Sequence, residues 1–160
     1  QMTEQEQAEK TYHNILNLVW EFLTVKGAKI NFENQLEKLE EIIPDVNNYD
    51  FFGVVPALDA CEALGELLHA IIAGETLEKA IQISQISLGT VCSLLETQED
   101  RDLSETELKS REEIEEELDL QWQIYRLLKD CEKRDVDLIL SLRNEIKQEG
   151  ISNIGIKIEQ

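Results

Sequence analysis

Four side chains able to hold a proton or a metal ion recur at helical spacing in the middle of the chain. Asp59, Glu62, Glu66 and His69 fall at i, i+3, i+7 and i+10, so on a helix all four project along one stripe. Glu66 and His69 form a Glu-x-x-His pair, the spacing by which di-iron bundles present a carboxylate and an imidazole to one metal. Such a centre needs the motif twice, with two further carboxylates. The only other histidine is His13, and Lys10 stands three residues before it where an acid is required. What the spacing leaves open is a mononuclear site built from Asp59, Glu66, His69 and a carboxylate of a neighbouring helix. The competing reading is the wet face of an amphipathic helix, the commoner origin of a polar stripe. An interaction surface is the third.

Nucleophilic catalysis is poorly served. Cys61 and His69 are eight residues apart, roughly 12 Å along a helix axis, far beyond the reach of a nucleophile and its base. Gly27-Ala28-Lys29 lacks the upstream glycine and the spacing of a phosphate-binding loop. No cofactor is implied by any motif.

Composition narrows the partners. The formal net charge is −19, and a surface this acidic repels nucleic acid and anionic membranes. It suits solubility, basic protein partners or cations. Between Glu99 and Asp119 stand eleven acids against Arg101, Lys109 and Arg111, a cluster that also permits acidic mimicry of nucleic acid. The apolar run Phe51 to Leu58, free of charged and amide side chains, is interrupted by Gly53 and Pro56 and is far shorter than the roughly 20 residues of a membrane helix. The first ten residues are polar and acidic, unlike a signal peptide, so a cytoplasmic setting is expected. Cys61, Cys92 and Cys131 are an odd, widely spaced set, expected to be buried, reduced thiols without a bridging partner.

The elements that must carry these residues are helices. Hydrophobic residues make up 42% of the 160, with two prolines and seven glycines, which provides a core and leaves long stretches free to be helical. The first helix should begin at Thr3, with Glu6 reaching back in a capping box, and end at Gly27. Ile15, Leu16, Leu18, Val19, Trp20, Phe22, Leu23 and Val25 leave only a narrow polar seam at Asn14, Asn17, Glu21 and Thr24, the pattern of a central helix. Asn31 caps a short second helix with Phe32, Leu36, Leu39 and Ile43 inward, stopped by Pro44.

Pro56 suits the first position of a third helix, ended by Gly74, and a fourth runs from about Thr76 to Thr97. The tight turn between these two predicts an antiparallel hairpin that sets Gly65 against Ser84 and Ala60 against Gly89. Phe51 and Phe52 are expected to plug the end of the bundle. Ser104 with Glu107, or Ser110 with Glu113, offers a capping box for a last helix reaching Glu149. If continuous from Ser110, that helix spans roughly 60 Å at 1.5 Å per residue, against a domain nearer 40 Å across, so it must bend, break or protrude. Trp122 and Tyr125 on it read as core. Ile154, Ile156 and Ile158 alternate, as in an extended tail with one buried face.

Several blocks recur together in one order: Trp20-Glu21-Phe22-Leu23-Thr24-Val25-Lys26, Asn31-Phe32 through Gln35-Leu36-Glu37, Gly53 through Cys61, and Ser152-Asn153-Ile154-Gly155-Ile156. From about Ile15 to Ile156 the chain resembles the YjaG-like family of uncharacterised bacterial proteins (domain of unknown function 416). The resemblance implies an all-helical fold, a bacterial cytosolic setting and no assigned activity. It also implies an N-terminal segment preceding Gln1 in family members, so that a native helix is expected to be missing.

The expectation is therefore an all-α, compact bundle of about five helices with an extended C-terminal tail, residues 1–160 forming a single helical domain. Its expected role is a non-enzymatic cytosolic interaction or scaffold domain with an acidic surface, meeting protein partners or another copy of itself but no nucleic acid and no membrane. The alternative is a metal-binding protein or metal-dependent enzyme centred on Glu66 and His69.

Overall fold

A computed structural model describes residues 2–48 and 51–149. Among them are seven helices and no strand: α1 (Glu4–Thr24), α2 (Phe32–Glu40), α3 (Phe51–Ala73), α4 (Leu77–Glu99), α5 (Glu105–Lys109), α6 (Glu112–Leu128) and α7 (Val136–Glu149). The helical class is as expected, and the count exceeds five for local reasons given below. The isoleucine-rich tail and the side chains of Phe51 and Phe52 lie outside the described residues.

The helix ends follow their capping chemistry. Thr3 Oγ1 accepts from the Glu6 amide at 3.2 Å while the Thr3 amide donates to the Glu6 carboxylate at 2.7 Å, the reciprocal capping box. Asn31 Oδ1 accepts from the Asn34 amide at 2.9 Å to open α2. Gly74 closes α3 at φ 74°, a left-handed conformation that costs a residue with a Cβ, and its amide donates to the Ala70 carbonyl at 2.9 Å. Pro56 is not the first helical residue, because α3 already begins at Phe51. It sits in the second turn and forfeits one amide hydrogen bond to residue 52.

The stretch from Ser104 to Glu149, expected to hold one last helix, is broken twice, first at residues 110–111. The Ser104–Glu107 capping box is the one that forms, and it starts the short α5, while Ser110 ends that helix. The second break lies at 129–135, where six of seven side chains are charged. Asp135 Oδ1 accepts from the Leu138 amide at 3.0 Å, and this cap restarts the chain as α7. A capping bond contributes about 1 kcal/mol, against a few tenths for each i, i+4 ion pair, such as Asp130 with Arg134 or Lys133 with Asp137, that a continuous helix could have formed there.

The chain divides into two compact units, Gln1–Ile86 and Ser87–Gln160. In the first, Ile15, Val19, Phe32, Leu39, Cys61, Leu64 and Leu68 are buried together. The rings of Phe22 and Phe32 meet edge to face at 5.3 Å. Ile43, expected on the inner face of α2, is 49% exposed. The helix ends at Glu40, and the turn that follows places Ile42 against the core instead. In the second unit Val91, Leu95, Leu103 and Ile114 form the core. Beside them Glu117 is buried and accepts from Ser87 Oγ and Gln121 Nε2, each at 2.7 Å, so its carboxylate carries the partners that burial demands.

Gly65 does not face Ser84. Its nearest neighbour is Leu39 of α2, and a Cβ added at Gly89 would meet nothing within 4 Å. The close approach to Ser84 expected of Gly65 is therefore not what this glycine serves.

Candidate functional site

The stripe on α3 is present, but its members meet different surroundings. Glu62 and His69 are exposed, and Asp59 and Glu66 are half-buried. Glu66 is claimed by a cation: Lys79 Nζ, on the first turn of α4, donates to its carboxylate. That bond, with Glu75 and Glu78 close by, raises the Lys79 ammonium above its ordinary value. The pair joins α3 to α4 across the Gly74 turn. A metal at Glu66 would have to displace Lys79, and His69 next along the stripe points to solvent. Among the described residues no three His, Cys, Asp or Glu side chains gather where they could hold a metal ion. Asp59, Glu66 and His69 thus share a helix face without converging on a common point.

The three thiols separate as well. Cys61 is buried, Cys92 half-buried and Cys131 exposed, so the expectation of three buried cysteines holds for the first alone. Cys131 falls in the break after α6, where no helix covers it. Its Sγ donates to the Leu127 carbonyl at 3.5 Å. Burial pushes the Cys61 and Cys92 thiols up, away from the thiolate that nucleophilic work requires. Near Cys61 the Tyr12 hydroxyl donates to the Ala60 carbonyl at 3.3 Å. Its pKa is pushed up to about 12, first by burial and then by Cys61.

The feature that periodicity misassigned is on α6. Trp122 and Tyr125, expected in the core, are 56% and 57% exposed, and Leu118 one turn earlier is 41% exposed. The two rings meet edge to face at 5.6 Å, and the Arg126 guanidinium lies over the indole, 5.8 Å from its centroid, a cation–π distance. The covered seam of α6 is instead Ile114 and Glu117, both buried, followed by Gln121 and Ile124, both half-buried. Two of those four are polar, and that is why the apolar pattern of the sequence pointed to the adjacent stripe. The signal that could have found the true seam is Glu117, a carboxylate spaced with Gln121 at i, i+4.

This arrangement offers a solvent-facing aromatic stripe on an acidic helix and an ion-paired carboxylate on α3. Compared with known proteins, the chain matches over residues 1–157 the model of a family described as a protein of unknown function (DUF416). The chain belongs to that family. Among DUF416 relatives it is 72% identical to an uncharacterized protein of Haemophilus influenzae over 160 residues, all of this chain and 82% of that protein. It is 52% identical to the uncharacterized protein YjaG of Escherichia coli K12 over 149 residues, 93% of this chain and 76% of that protein. A crystal structure of a DUF416 family protein from Shewanella baltica superposes with a TM-score of 0.84 at 33% identity, covering 93% of this chain and 78% of that one. Among the described residues no helix is long and apolar enough to cross a membrane.

Proposed function

We propose that this chain is a non-enzymatic, cytosolic protein-interaction or scaffold domain that offers an acidic surface to a partner. The observation that carries this reading is the stripe Leu118, Trp122 and Tyr125, exposed on a helix whose first half bears Glu112, Glu113, Glu115, Glu116 and Asp119. Large aromatic side chains left in water on one face have the character of interface anchors, since Trp and Tyr dominate the energetics of protein interfaces. The surrounding acids speed encounter with basic groups on a partner's surface.

The test is capture of partners from native lysate over a salt series, with wild type and Trp122→Ala side by side. The reading expects partners that are retained at low salt, released as salt rises, and lost in Trp122→Ala. Partners captured equally well by the variant would remove α6 as the binding surface, and with it the reading.

The alternative of a metal centre at Glu66 and His69 would require the ion to displace Lys79 from the carboxylate.

A further inference from the structure

On the exposed face of α6 and its C-cap, Glu115 and Lys129 are placed with inverted symmetry about Trp122. Glu115 stands seven residues before it and Lys129 seven after, and a spacing of seven returns to the same helix face after two turns. Leu118 lies four before it and Arg126 four after. Acids fill the first half of the helix, while Arg126 stands in its last turn and Lys129 caps it. Glu115, Leu118, Trp122, Tyr125, Arg126 and Lys129 are all exposed.

Such a face is complementary to itself when turned end for end. We infer that a second copy of this chain docks on α6 as an antiparallel helix pair, with a two-fold axis passing beside Trp122. In that arrangement Trp122 meets its symmetry mate, Glu115 meets Lys129 of the other copy, and Leu118 meets the aliphatic stem of Arg126. A two-fold contact uses the same patch on both copies and needs each residue to suit its counterpart. The inference rests on the interaction reading of the same stripe and names the partner. The net charge of −19 sets the copies against each other at long range. At physiological salt the screening length is about 8 Å, so distant acids are muted while pairs in contact keep most of their attraction.

Sedimentation of the 160-residue chain at physiological salt, over a range of concentrations, tests this directly. The expected result is a reversible monomer–dimer equilibrium that Trp122→Ala shifts to monomer. Each single charge reversal, Glu115→Lys or Lys129→Glu, creates two like-charge contacts per dimer and should weaken association about tenfold. The double reversal should restore it, a rescue that mere damage to the fold cannot produce. Circular dichroism confirms that each variant remains helical. A chain that is monomeric at every concentration overturns the inference, as does a dimer indifferent to Trp122→Ala or a double variant no better than the singles. A monomer that still captures basic proteins through Trp122 overturns the second copy as occupant while leaving the wider interaction reading standing.

Discussion

A Cβ added to Gly65 would sit 3.7 Å from Cδ2 of Leu39, at ordinary contact distance. Leu39 is only 2% exposed, so the glycine marks the line along which α3 and α2 come together. Gly65→Ala should therefore be accommodated, and relief of the helix-interior glycine should stabilise the protein by about 0.5–1 kcal/mol. Gly65→Leu must displace Leu39 and should cost about 1–3 kcal/mol by overpacking. Urea unfolding of the two variants measures both. Destabilisation by alanine would show that the helices lie closer than this.

The Lys79–Glu66 pair decides how the α3 stripe behaves toward metals. With Glu66 engaged and His69 in water, protein purified without chelator or histidine tag should carry no stoichiometric transition metal by elemental analysis. Replacing His69 by Ala should change stability by less than about 0.5 kcal/mol. Loss of the ion pair in Lys79→Met should leave stability nearly unchanged, as befits two partly exposed partners. Stoichiometric metal that vanishes in His69→Ala would promote the metal reading above the interaction one.

The thiols should react in the order of their exposure. Cys131 is expected to label rapidly in the native protein, Cys92 more slowly, and Cys61 only after unfolding, because a thiol reagent needs access as well as thiolate. Counting modified cysteines by mass spectrometry over time separates the three. Early modification of Cys61 would mean that the α1–α2–α3 core opens readily.

Tyr12 should leave its mark at high pH. Its folded value of about 12 lies above the ordinary 10.0, so burial favours the neutral phenol. The stability this contributes is fully present below pH 10 and is lost as pH rises from about 10 to about 12. Tyrosinate absorbance should include a late-titrating component that Tyr12→Phe removes, along with its share of the alkaline destabilisation. The same variant gives up the 3.3 Å hydrogen bond to Ala60 at a cost of about 1 kcal/mol or less. A Tyr12 that titrates at its ordinary value would show that the ring is open to water.

Much of the helix punctuation was written in the residues themselves. Thr3 with Glu6, Asn31, Gly74 and Ser104 each act on backbone groups within four positions, so no distant neighbour is needed to read them. The Asp135 cap was equally local, yet it lay hidden among charges that also fit i, i+4 pairing. Burial on a given face is a different kind of quantity. Periodicity says that a helix has an apolar side, and only the packed neighbours say whether that side is covered. Hence Trp122 and Tyr125, apolar by type, stand in water, while Glu117 beside them is buried because Ser87 and Gln121 supply its hydrogen bonds. The α3 stripe follows the same logic. Its spacing was legible from the sequence, but the cation that neutralises Glu66 arrives from α4, thirteen residues away, and only the folding of the chain about Gly74 brings it there.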